Sequence, residues 1–164
     1  MKKLFFLIAT FLYAITLPKE FSANFTQTIT SSDKKITYKG KVYKLGNEIV
    51  WNYTYPSKKT IWVKEKIYVY EPDLYQVTII NKKNTTLNDI LKNAKKIKND
   101  LYMADVEDKK IYFIYDKTLK KLFYTDELGN KVEIKFFNQK NSTDKNIFKL
   151  SFPNDVDIIY QNQS

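Results

Sequence analysis

Short runs of alternating apolar and polar residues recur along most of this chain, and nothing else in the sequence constrains its fold as tightly. Tyr75-Gln76-Val77-Thr78-Ile79, Val132-Glu133-Ile134-Lys135-Phe136 and Phe148-Lys149-Leu150-Ser151-Phe152 alternate at period two. Strand geometry then sets one row of side chains on a core and the other in water. In Ile49-Val50-Trp51-Asn52-Tyr53-Thr54-Tyr55 the odd-numbered residues are large, and Asn52 and Thr54 point away. Polar turns divide the runs at Ser31–Lys34, Gly46-Asn47, Pro56-Ser57, Lys64-Glu65 and Asp105–Asp108, and Asp126–Asn130 reads as a hairpin loop. From Phe25 onward the pattern predicts a meander of roughly ten antiparallel strands.

One segment departs from it. Leu87, Ile90, Leu91, Ala94 and Ile97 follow the stripe of an amphipathic helix. Thr86 is placed to cap its N-terminus, with Asp89 completing a variant capping box. Lys92, Lys95, Lys96 and Lys98 suit the negative end of the helix dipole, and Asn99 is a stop. A second, short helix is expected over Pro18–Ala23, because Pro is tolerated in a first helical turn.

A sheet of this size cannot stay flat with an apolar face bare; it must curl, close or be covered. One or two helices are too little to cover it flat. The expected architecture is mainly β (α+β): an unclosed, strongly curved antiparallel barrel with a helical lid over an apolar interior. The inward side chains are read as Trp51, Tyr53, Trp62, Tyr68, Tyr70, Phe113, Tyr115 and Phe123, joined by Val77 and Ile79. They either pack as ordinary core or together line a cavity for an acyl chain, as barrel mouths often do. Leu87, Ile90, Leu91 and Ala94 are the lid residues, open to the same two readings.

Composition removes most catalytic classes. Among 164 residues there is no Cys, no His and no Arg; all 28 basic residues are Lys, and the formal net charge is +10. Thiol and imidazole nucleophile chemistry, Cys- or His-ligated metals and bidentate guanidinium recognition are thereby excluded. Asp105, Glu107 and Asp108, then Asp126-Glu127, are the acidic groups open to a carboxylate-dependent hydrolase. Their place in turns favours plain exposure, so no catalytic residue, metal or cofactor is expected. Nucleic acid is not an expected partner of an exported chain without Arg. The outward lysines, such as Lys39, Lys41, Lys58, Lys59, Lys131 and Lys135, either solvate the surface or dock an anionic partner or lipid head groups.

The first residues read as an address. Met1-Lys2-Lys3 precedes an apolar run, Leu4–Thr16, too short for the roughly 20 residues a spanning helix needs. Leu12-Tyr13-Ala14 offers a cleavage site. The expected layout is a signal peptide over residues 1–14 and a single domain over residues 15–164, exported to the periplasm. A chain without Cys folds there without oxidation.

An ordered series of landmarks along nearly all of residues 15–164, densest over Ile36–Ile80, carries a resemblance to a known family. Phe25-Thr26-Gln27 resembles the F-x-Q that ends the first element of LolA proteins, the periplasmic carriers of outer-membrane lipoproteins. Tyr38-Lys39-Gly40-Lys41-Val42 is similar to their second strand, and Trp51 with Pro56 to their W-x(4)-P. Tyr70-Glu71-Pro72-Asp73-Leu74 resembles their Y-x-P segment, and Gln76-Val77 the Q-V pair next to it. Phe148–Phe152 and Pro153-Asn154-Asp155-Val156-Asp157 look like the closing strand and P-x-x-V-D. The resemblance implies an unclosed barrel whose lid helices enclose a cavity for lipoprotein acyl chains. It also implies loading by an inner-membrane lipoprotein-releasing ABC transporter, delivery to an outer-membrane acceptor, and a monomer. The runner-up is a periplasmic binder of another lipid or glycolipid.

The chain departs from that family in two places. The family's Arg before W-x(4)-P holds the lid closed through backbone carbonyls; here Leu45-Gly46 stands near that place, and Lys44 is a single-point substitute without the planar fork. The N-terminal helix is also cut down, which leaves the lid mainly to Leu87–Ile97.

Overall fold

A computed structural model describes residues 15–83 and 85–162. The expected signal peptide, residues 1–14, lies outside the described residues. The elements run β1 (Glu20–Ser31), β2 (Lys34–Leu45), β3 (Glu48–Tyr55), β4 (Lys59–Val63), β5 (Lys66–Glu71), β6 (Gln76–Asn81), α1 (Leu87–Lys92), β7 (Lys95–Lys98), β8 (Leu101–Val106), β9 (Lys109–Asp116), β10 (Thr118–Thr125), β11 (Lys131–Lys140) and β12 (Asp157–Gln161). All twelve strands join one open, curved sheet in the order β12-β6-β5-β4-β3-β2-β1-β11-β10-β9-β8-β7. Every neighbouring pair is antiparallel except β12 on β6.

The alternation sets the registers. Cross-strand partners share a face, so Tyr102, Phe113, Leu122 and Ile134 form one continuous row across β8 to β11. The face carrying this row is covered by α1 and is the inner face of the sheet. Gly46-Asn47 and Asp126–Asn130 turn the chain as the sequence implies. In the second loop the Asp126 carboxylate accepts from the Leu128 and Asn130 backbone N–H groups, both at 2.9 Å.

Several expectations are corrected. The expected open, curved, mainly β sheet with a helix over its inner face is present; it has twelve strands where the pattern gives roughly ten, because every residue of the edges β7 and β12 is exposed and shows no alternation of burial. Pro18–Ala23 is not a helix: Phe21, Ala23 and Phe25 are buried at every second position, and this period fixes Glu20–Ser31 as a strand. The helix stops at Lys92 rather than reaching Ile97, since Lys95, Lys96 and Lys98 pair with β8. Ile97 is then 50% exposed. Phe148–Phe152 is not a strand. Lys145–Phe148 forms a short 3-10 turn, and Phe148 packs with Phe152 flanking it on the sheet's outer face. The closing strand is β12 instead.

Gly40 sets a bend. Pairing of β2 with β3 slips between Lys39 and Gly40. A Cβ on Gly40 would lie 2.1 Å from the Asn52 carbonyl oxygen and 2.9 Å from Cζ of Phe25, so no other residue fits this approach.

Candidate functional site: a lidded inner face

The inner face is apolar from β4 round to β8. Phe21, Phe25, Val42, Ile49, Tyr53, Tyr102, Phe113, Ile134 and Phe136 are all buried in it, with Trp51, Ile61, Val63 and Tyr115 packed around them. Phe25 lies at its centre, edge-on to Trp51 at 5.2 Å and to Tyr53 at 5.0 Å between ring centroids. The Tyr53 hydroxyl donates to Gln27 Oε1 at 2.6 Å, which removes the cost of an unpaired buried donor. Burial pushes the Tyr53 pKa up to about 12.

The lid is short and locally specified. Thr86 Oγ1 accepts from the Asp89 backbone N–H at 3.2 Å, and the Asp89 carboxylate accepts from the Thr86 N–H at 2.9 Å. The bonds from Thr86 hold the Asp89 carboxyl below the usual carboxylate range. Leu91 and Ala94 are buried in the inner cluster, and Leu87 and Ile90 pack against it. All four expected lid residues therefore meet the inner face.

Few polar bonds tie the cover down. Asn88 Nδ2 donates to the Gly46 carbonyl at 3.2 Å and to Asn47 Oδ1 at 2.6 Å, linking α1 to the β2–β3 turn. The N-terminal segment runs beside the helix, with Ile15 only 1% exposed and its N–H donating to the Leu91 carbonyl at 3.1 Å. Lys44 is 3% exposed, and its Nζ donates to the Pro18 carbonyl at 2.7 Å. The bond is to a backbone carbonyl of the N-terminal segment and not to one of α1. Burial lowers its pKa. A pocket of about 350 Å³ opens at the lid's edge between Val63, Ile67, Ile90 and Val106. Across its rim Lys83 reaches Glu107 at 2.6 Å.

The ten side chains read as inward-facing divide between the two faces. Trp51, Tyr53, Phe113 and Tyr115 lie on the inner face. Trp62, Tyr68 and Tyr70 belong to a second cluster on the outer face, with Val50, Phe148 and Phe152. Val77 and Ile79 pair with Tyr70 and Tyr68 and so share that outer face. Phe123 is outward too, stacked on Tyr112 with centroids 5.2 Å apart. Size is a poor guide to direction here: on β4 the inner residues are the smaller Ile61 and Val63. Phe25, Gln27 and Phe136 were missing from the expected site, although the alternation in Val132–Phe136 and the F-x-Q at Phe25–Gln27 mark them. In the acidic turn Asp105–Asp108, Glu107 forms an ion pair with Lys83. Glu107 is held below the usual range by Lys83.

Comparison with known proteins gives a consistent result. A family model described as outer membrane lipoprotein carrier protein LolA matches residues 18–113. The outer-membrane lipoprotein carrier protein of Campylobacter jejuni is 32% identical, over 97% of this chain and 99% of that one. The protein of the same name from Helicobacter pylori strain HPAG1 is 35% identical over 72% of this chain and 66% of its own. Among solved structures, an uncharacterized conserved protein from Thermus thermophilus shares the fold with a TM-score of 0.55 and 12% identity, covering 88% of this chain and 92% of that one.

Proposed function

This chain belongs to the LolA family of outer membrane lipoprotein carrier proteins, and from that premise we propose that it carries lipoproteins by burying their acyl chains between its inner face and its lid. The observation that carries the reading is the burial of Leu91 and Ala94 in the inner cluster by a helix only six residues long and the turn that ends it. Leaving acyl chains in water costs about 0.8 kcal/mol per CH₂. A carrier offsets that cost with apolar surface and then releases its cargo without breaking a bond, so it needs no catalytic residue. A cover held by a few hydrogen bonds suits this cycle. Leu87, Ile90, Leu91 and Ala94 exchange contact with the inner cluster for contact with acyl chains. Lys44 latches the N-terminal segment, and releasing it frees Ile15 and the end of α1 together.

In this scheme the exported protein works in the periplasm as a monomer. An inner-membrane ABC transporter loads it, and an outer-membrane acceptor receives the cargo. The test is capture of the tagged protein from periplasm, with mass spectrometry of what it holds. Acylated peptides are expected with the wild-type protein and none with Ile90→Asp, whose circular dichroism should keep its β-sheet character. Recovery of free lipids alone would replace the lipoprotein reading with that of a carrier for another lipid or glycolipid. Normal recovery by Ile90→Asp would remove α1 from the mechanism.

A further inference from the structure

The outer face of the sheet is treated differently on its two halves. Across β3 to β5 it is covered by the chain's own segment from Ile147 to Phe152. Across β8 to β11 no described element packs on it, yet it carries large apolar side chains. Met103, Tyr112 and Phe123 lie side by side there, and Phe137 is 46% exposed. Lysines interleave with them. One cross-strand row runs Tyr55, Lys39, Thr26, Lys135, Lys121, Ile114. Lys121 sits over the Phe123 ring at 6.0 Å, and Lys39 over the Tyr55 ring at 5.6 Å.

This row contains an unfavourable arrangement. Lys121 and Lys135 are direct cross-strand partners, and like charges placed so destabilise a sheet. Glu133 lies within 3.3 Å of the first and 3.5 Å of the second, and one carboxylate cannot neutralise both. Lys131 and Lys110 extend the positive surface along the same face. The acids Asp108, Asp126 and Glu127 sit at the hairpin ends, beside a recess of about 840 Å³ that Tyr112 and Phe123 also line. These acids stand among Lys109, Lys110 and Lys131, so the least balanced positive charge lies on the Lys39, Lys135, Lys121 row.

We propose that this bare half of the outer face docks on an anionic membrane surface. The interleaving is what such an interface requires: amphipathic rings sit at head-group depth, while lysine stems run along apolar surface with their ammonium groups among lipid phosphates. A nucleic acid or an acidic protein would meet the same charge and rings; failure to bind anionic vesicles at low salt would assign the face to one of those instead. The site is separate from the lidded inner face, so the carrier engages the membrane while its cargo stays covered.

The test is co-sedimentation of the protein, without its expected leader, with vesicles of phosphatidylglycerol and phosphatidylcholine mixed or of phosphatidylcholine alone. Binding is expected only to the anionic vesicles, falling steeply with salt. Each lysine removed should weaken it about fivefold. The triple variant Lys39→Gln, Lys121→Gln, Lys135→Gln should therefore lose roughly a hundredfold while keeping its circular dichroism. Phe137→Ser should weaken binding at high salt, where charge contributes least. Ile90→Asp, which tests the lid, should bind vesicles as the wild type does. Equal binding to both vesicle types, no binding at low salt, or unchanged binding by the folded triple variant each overturns the proposal. Loss of binding by Ile90→Asp would assign the lipid contact to the cavity and overturn it as well.

Discussion

Strands β3 and β4 carry an apolar cluster on each of their faces, and the two clusters are closed in different ways. On the outer face Val50 and Trp62 are covered by the chain from Ile147 to Phe152, which fits like core: the Trp62 indole N–H donates to the Ile147 carbonyl at 2.9 Å, and Phe152 packs against Trp62 and Tyr70. On the inner face the cover is a six-residue helix and an N-terminal segment, tied by two hydrogen bonds from Asn88 and one each from Ile15 and Lys44. On the proposed carrier reading, one sheet therefore has a permanent closure and a removable one. The difference lies in what each cover offers the sheet. Interlocked aromatic rings with a satisfied donor tie the outer cover to one partner, whereas the proposed cycle has Leu91 and Ala94 exchange protein contacts for lipid ones.

The largest expected effect comes from breaking the permanent side. Trp62→Ala leaves a cavity and orphans the Ile147 carbonyl, and should lower unfolding stability by about 3–5 kcal/mol in urea titrations. Acyl-chain affinity of the molecules still folded should be unchanged. A matching loss of affinity would mean that the two faces are one cooperative unit.

Lys44→Met sharpens the contrast from the other side. It removes the bond to Pro18, and amide exchange at Ile15 and Gly46 should quicken by roughly tenfold, the worth of one charge-assisted hydrogen bond. Global stability should move little, because a buried charge is removed too. The pH dependence comes from the lowered pKa of Lys44. Between that value and the ordinary lysine value the unfolded chain binds more protons, so stability rises with pH through this window and is lost again as pH falls below it. The Lys44→Met protein should lack this alkaline gain in a comparison of melting curves.

Thr86→Ala is the gentlest break. Loss of the capping box should cost about 1 kcal/mol. It should appear as faster exchange across α1 with no change in β12 or around Trp62.

The lid was legible in the sequence because its signals are local. Leu87, Ile90, Leu91 and Ala94 share a face by spacing alone, and Thr86 with Asp89 needs only three residues to declare a cap. The C-terminal end of that helix was not legible, since Ile97 continues the stripe while Lys95–Lys98 is claimed by β8 across the turn at Asn99. Face assignment failed where burial is two-sided. Ile61-Trp62-Val63 is apolar throughout, and what reverses it is a segment from Ile147 onward that no local pattern ties to Trp62. Phe123 went the wrong way for another reason. A register slip between Leu119 and Lys121 exchanges inward and outward positions along β10. Gln27 was quoted within a motif but given no role, because its partner, the Tyr53 hydroxyl, is reached only once β1 and β3 stand two strands apart in one sheet.

Gly40 has a consequence for capacity. The wall curls where β2 comes so close to β3 that a methyl group would strike the Asn52 carbonyl, and the ring of Phe25 closes over the spot from β1. Any larger residue would spread these strands and flatten the wall at its middle. On the proposed carrier reading, the space for a guest beneath the lid therefore depends on a close approach of two strands that only a residue without a Cβ permits.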